Sequence, residues 1–176
     1  PQNDNESYLE EIVVTATYRE TNLMDTPLAI SVVDEDMIEQ LGATDISGVF
    51  RSIPGFNVAS SDTGTNRFVV RGISSQTGAG SAAQTHASVA TYIDDTPMTS
   101  ATGPARQLAG SLFDIKRVEV LKGPQGTLFG EGSQGGTIRY IYNEADPSAL
   151  DFKVKAGFNT QDESDDTGFR TDGMIN

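Results

Sequence analysis

The chain is 176 residues long, enough for one ordinary domain with a buried core and a short remainder at either end. Its 12 Lys and Arg stand against 25 Asp and Glu, and the resulting formal charge of -13 repels phosphate backbones and argues against a nucleic-acid partner. The absence of cysteine excludes a disulfide framework and a thiolate metal site, and no run approaches the roughly 20 consecutive apolar residues of a membrane helix.

Residues 1–11 are polar, with Asp4, Glu6, Glu10 and Glu11 set against only Tyr8 and Leu9, and such a stretch is expected to stay mobile. The run Ile12, Val13, Val14, Thr15, Ala16, Thr17 is β-prone but bounded by charge, so it is expected to be an extended segment with no sheet of its own, able to offer its backbone to another protein. An ordinary edge strand is the bland alternative for this run. A strand is expected over 28–33, then a short helix capped by Asp34, carrying Met37, Ile38 and Leu41 and closed by Gly42. A second helix follows, with Thr44 as its cap, Ile46, Val49, Phe50 and Ile53 on one face, and Pro54 as its stop.

Four more strands are expected at 67–70, 89–93, 117–121 and 137–142, giving a small α+β domain with a mixed sheet, short helices and long connections. The connections 74–88 and 97–111 are long enough to be functional, and with 60–66 they supply the candidate ligand-facing residues Ser61, Asp62, Asn66, Gln76, Gln84, His86, Met98 and Arg106. After Pro147, the apolar residues Phe152, Val154, Ala156 and Phe158 alternate with Asp151, Lys153, Lys155 and Gly157, the pattern of a strand with one greasy face. An acidic turn over 161–167 leads to a returning strand from Gly168.

Arg117 and Glu119 are two apart on a strand and share a face, so they must meet something across it, whereas Val118 and Val120 point into the core. His86 is the only histidine, so no imidazole cluster can form. Asp162, Glu163, Asp165 and Asp166 lack the Gly-centred spacing of a calcium loop and read as a solvated turn. The glycines around Gly123, Gly126, Gly130, Gly135 and Gly136 are followed by no Gly-Lys-Ser/Thr and are expected to open no amphipathic helix, so tight turns explain them better than a phosphate cradle. A hydrolase built on Asp94, Asp95 and Asp114 has no supporting motif.

Three segments carry a family resemblance. Glu11, Ile12, Val13, Val14, Thr15 and Ala16 resemble a TonB box. Val69-Val70-Arg71-Gly72 and Thr91-Tyr92-Ile93-Asp94-Asp95-Thr96-Pro97 resemble two signatures of a plug domain. The stretch 113–130, with Gly135-Gly136-Thr137-Ile138 after it, resembles that domain's longest signature. The chain is therefore similar to the N-terminal part of a TonB-dependent outer-membrane receptor. It departs from the pattern at Asp95, where Gly is usual and a positive φ is expected, and at Arg139, where many relatives carry Asn.

The resemblance implies a flexible periplasmic segment at 1–23 with the TonB box at 11–16, a plug at 24–147, and the first hairpin, at 148–176, of an antiparallel transmembrane barrel of about 22 strands, most of it absent from this chain. It implies active import of a siderophore, glycan or vitamin across the bacterial outer membrane, with no enzymatic activity, catalytic residue, metal or cofactor. The implied partners are TonB with its inner-membrane complex, the remaining barrel, outer-membrane lipid and a small-molecule or oligosaccharide ligand. Arg71, Arg117 and Glu119 are implied as a latch between plug and barrel wall, with a local Arg117–Glu119 surface pair as the alternative. A free-standing β-rich ligand-binding or adhesion module is the alternative function.

Overall fold

A computed structural model describes residues 12–16, 21–43, 46–60, 66–74, 88–98, 112–160 and 167–175. The short strands β1 (Val13–Val14) and β2 (Thr21–Asn22) pair antiparallel, and a single 3-10 turn over Leu23–Asp25 leads toward β3 (Ile30–Asp34). Asp34 ends the strand and starts helix α1 (Glu35–Gln40), its Oδ1 accepting from the Met37 N–H at 2.8 Å. Gly42, at φ 58°, closes that turn as expected. Helix α2 (Ile46–Phe50) buries Ile46, Val49 and Phe50, and Ile53 is buried just beyond its end; the expected cap Thr44 lies outside the described residues.

Strands β4 (Phe56–Ser60), β5 (Asn66–Val70) and β6 (Ile73–Ser74) form a separate three-stranded antiparallel sheet. Arg71 and Gly72, at φ 50° and 81°, make the tight turn from β5 to β6, a geometry that favours glycine at its second position. The central sheet contains β7 (Val89–Ile93), β8 (Thr96–Pro97), β9 (Ile115–Lys122) and β10 (Gly136–Tyr142) beside β3, in the order β3-β9-β10-β7-β8. It is mixed, because β10 runs parallel to β7 and antiparallel to β9. A one-turn helix, α3 (Gly126–Phe129), lies between β9 and β10 and buries Phe129; at four residues it is too short to be the amphipathic helix of a phosphate cradle. Gly136 is required by closeness: a Cβ there would meet the Leu121 carbonyl oxygen at 2.5 Å.

The two faces of the central sheet differ. Val33, Val118, Val120, Ile138 and Tyr140 join the helices and the rings of Phe50, Phe56 and Phe68 in the main core. Leu121, Phe129 and Ala16 form a smaller cluster, against which Leu28, Ile30 and Tyr92 pack. Strands β11 (Phe152–Thr160) and β12 (Thr167–Ile175) pair over their whole length as the expected antiparallel hairpin. Phe152, Val154, Phe158, Phe169 and Ile175 are exposed along it, Phe158 by 81%, while Lys153 pairs with Glu35 of α1.

Phe50 stacks on Phe56 at 4.0 Å between ring centroids and meets Phe68 edge-on at 5.3 Å. Phe50→Ala is expected to cost about 3–5 kcal/mol, seen as a lowered urea midpoint for loss of the domain's tertiary structure.

Candidate functional site

The second face of the central sheet carries charge. Pairing of β9 with β10 sets Glu119 opposite Arg139, and alternation along β9 puts Arg117 on the same side as Glu119. The Glu119 side chain is 0% exposed, and each of its oxygens meets a guanidinium: Arg117 Nε donates to Oε1 at 2.7 Å and Arg139 Nη1 to Oε2 at 3.0 Å. An isolated carboxylate at this depth would be prohibitive, and the two charge-assisted bonds are what permit it. Arg139 Nη2 also reaches outward to Asp95 Oδ1 at 3.1 Å, and its guanidinium carbon stands 5.7 Å from the Phe129 ring centre.

Residues 12–16 lie over this charged row. The Thr15 N–H donates to Glu119 Oε1 at 3.1 Å, while its Oγ1 accepts from Arg139 Nη1 at 2.9 Å and from Arg117 Nη2 at 3.2 Å. Val14 and Ala16 are both 0% exposed. The segment is thus docked, with β2 as its pairing partner and the Leu23 N–H donating to the Ile12 carbonyl at 2.9 Å. The expectation of a flexible segment at 1–23 is corrected for residues 12–16 and 21–23, and that of a run at 12–17 without a sheet of its own for Val13 and Val14, because paired charges, a small apolar cluster and pairing with β2 hold them down. Glu11 lies outside the described residues.

Of the residues expected in a latch, Arg117 and Glu119 do come together, but with Thr15 and Arg139 of this chain and in its interior. They form neither the expected outward-facing latch nor a surface pair. Arg71 is exposed; its side chain runs past Gly55 to within 3.7 Å of where a Gly123 Cβ would be. There it neighbours Lys122, whose pKa is lowered first by burial and then by the Arg71 charge. No carboxylate among the described residues pairs with either cation.

The β7–β8 turn also differs from expectation, since the positive φ of 49° falls on Asp94 and not on Asp95. Asp94 tolerates it because its Oδ1 accepts from the Tyr142 N–H at 3.1 Å and its own N–H donates to the Tyr140 carbonyl at 2.8 Å. Burial, then the Asp94 and Asp114 carboxylates, push the Tyr142 phenol up. Asp94 accepts from the Tyr142 N–H, Asp95 pairs with Arg139 and Asp114 accepts from Asn143 Nδ2, so each of the three acids has a hydrogen-bond partner of its own.

Among the candidate ligand contacts, Asn66 begins β5 and Met98 follows β8, its N–H donating to the Thr91 carbonyl at 2.8 Å. Ser61, Asp62, Gln76, Gln84, His86 and Arg106 lie outside the described residues, as do the acids of 162–166. Among the described residues no group of three or more His, Asp or Glu side chains is placed to hold a metal. Sequence reasoning missed the participation of Arg139, Thr15 and Asp95. The available signal was three charged residues, Arg117, Glu119 and Arg139, interleaved with Val118, Val120, Ile138 and Tyr140 in the middle of their strands.

The fold recurs in solved receptors. The ferripyoverdine receptor of the outer membrane of Pseudomonas aeruginosa, bound to ferripyoverdine, superposes with a TM-score of 0.63 at 26% identity, over 84% of this chain and 18% of that one. The complex of FpvAI with pyocin S2 gives a TM-score of 0.64 at 25% identity, over 83% of this chain and 18% of that one. In sequence, the chain is 33% identical to the Pseudomonas aeruginosa ferripyoverdine receptor over 141 residues, and 30% identical to a hemin receptor of Yersinia enterocolitica over 142. Each match covers 78% of this chain but only 16% and 19% of the relative, so the chain spans less than a fifth of their length. Fold and sequence together define a receptor plug. Residues 22–137 match the TonB-dependent Receptor Plug Domain, and the chain belongs to that family, whose members are transport receptors and not enzymes.

Two substitutions probe the site. Glu119→Gln keeps the shape but leaves two arginines against a neutral amide, and should cost about 3–5 kcal/mol in a denaturation experiment. Arg71→Ala removes the repulsion on Lys122, whose pKa should then move part of the way back toward its ordinary value in an NMR titration.

Proposed function

We propose that this chain is the plug and first barrel hairpin of an outer-membrane receptor that imports a scarce small ligand with energy delivered by TonB at residues 11–16. The observation that carries this reading is the docked strand over Glu119: a short β-branched run held by a few bonds at one end of a plug can be released and gripped by strand addition. The proposed boundaries are 1–23 for the periplasmic segment, 24–147 for the plug and 148–176 for the hairpin, with the N-terminus in the periplasm. The greasy row of Phe152, Val154, Phe158, Phe169 and Ile175 suits lipid, and a two-stranded edge there needs further strands to satisfy its backbone. It also weighs against a free-standing module in water.

The ligand class we favour is an iron-siderophore complex or hemin, by analogy with the receptors named above. Docking on loops that include 75–87 and 99–111 would put the ligand at the far end of the β7–β8 hairpin from its Asp94–Asp95 turn, because both loops leave the sheet there. The exposed Arg71 and the half-buried Lys122 beside it form a cationic pair suited to carboxylates on a surrounding wall, and replace Arg117 and Glu119 in the proposed latch.

The test is deletion of residues 11–16 in the full-length receptor. Binding of ferric siderophores or hemin to whole cells should remain within about twofold, since ordinary contacts far from the ligand add independently, while accumulation of the iron label inside falls to background. Equal loss of binding and uptake would refute the assignment.

A further inference from the structure

Thr15 is held by three charged side chains, and one of them is held in turn by a residue on a different element. Arg139 Nη1 bonds both Thr15 Oγ1 and Glu119 Oε2, while its Nη2 reaches Asp95 Oδ1. A guanidinium is a rigid planar fork, so the bond to Asp95 fixes the plane in which the other nitrogen meets Thr15. Arg139 is 3% exposed at its side chain and Asp95 is 75% exposed, so the inner end of this relay is dry and the outer end is open to water. Asp95 sits in the turn of the β7–β8 hairpin, whose arms continue directly into 75–87 and 99–111.

We infer that Asp95, acting through Arg139, is a positioning residue that sets how firmly residues 12–16 are docked, so that a displacement of the β7–β8 hairpin loosens the TonB-box segment. The inference rests on the reading of 11–16 as the segment TonB grips, and it adds the route by which the ligand side is felt there. Withdrawing Asp95 removes the acceptor that Arg139 Nη2 meets at 3.1 Å, while the bond of Nη1 to Glu119 remains. Arg139 then turns more fully toward Glu119 and loses the geometry that holds Thr15. The water-exposed Asp95 contact is the weak member of the relay, and therefore the one a modest movement can break.

These 176 residues hold no cysteine, so once any cysteine elsewhere in the full-length receptor is replaced by serine, Val14→Cys or Ala16→Cys introduces a single thiol at a side chain that is buried while the segment is docked. The rate of labelling by a small maleimide, in the full-length receptor without ligand or TonB, then reports undocking. Asp95→Asn, an exposed change of little volume, should raise that rate by about three- to fivefold, the effect of losing one partly exposed ion pair. Salt should accelerate labelling of the parent by screening the same pair, and Asp95→Asn should abolish that dependence, a signature that general loosening of the fold would not produce. Arg139→Lys should raise labelling further, and adding Asp95→Asn to it should change nothing more.

Labelling at the parental rate and salt slope in Asp95→Asn, with either thiol, would overturn the inference. So would full additivity of the two substitutions. Neither result touches the importer assignment, because the labelling requires no TonB, and that assignment stands or falls on uptake after deletion of 11–16.

Discussion

A carboxylate with no exposed surface lies at the centre of the plug, and the arrangement around it follows from the cost of burying charge. Glu119 is tolerable in the interior only because Arg117 and Arg139 each take one of its oxygens, and the two guanidinium groups in turn require acceptors that the sheet alone does not offer. Thr15 and Asp95 supply them. One comes from the N-terminal segment and one from a hairpin turn, so satisfying the buried charges ties together two parts of the chain that are far apart in sequence.

The central sheet therefore has two kinds of cohesion. On the helical side, Val118, Val120, Ile138 and Tyr140 meet α1, α2 and the Phe50, Phe56 and Phe68 rings, and burial of apolar area is non-directional and hard to undo in part. On the other side, a few directional bonds hold a five-residue segment, and such bonds fail one at a time. A receptor plug needs this asymmetry if a strand is to be released while the domain that fills the bore stays folded. The exposed Arg71 and the apolar side chains along the β11–β12 hairpin take no part in this centre.

Much of the fold was legible in the residues. Asp34 as a cap, Gly42 as a helix end, the Ile46, Val49, Phe50 and Ile53 face, the four strands after residue 66 and the alternation from Phe152 all report local preferences or burial with a fixed period, and the structure agrees with each. Strand β4 was less legible, because Phe56–Ser60 is a strand only by pairing with β5. The pairing of β1 with β2 depends likewise on neighbours, and charge around Ile12–Ala16 argued for a mobile segment when it was the charge of Arg117, Glu119 and Arg139 that held it in place.

The amino-acid order by itself determined the family, the mixed α+β class and the positions of most elements, since these rest on motifs and periodicities confined to short stretches. Only the tertiary structure decided that Arg117 and Glu119 look inward, that Thr15 is their companion, and that Asp95 joins them through Arg139. Those facts depend on the β9–β10 register and on which segment covers the sheet's second face, and a contact between residues 124 positions apart leaves no periodic trace in the chain.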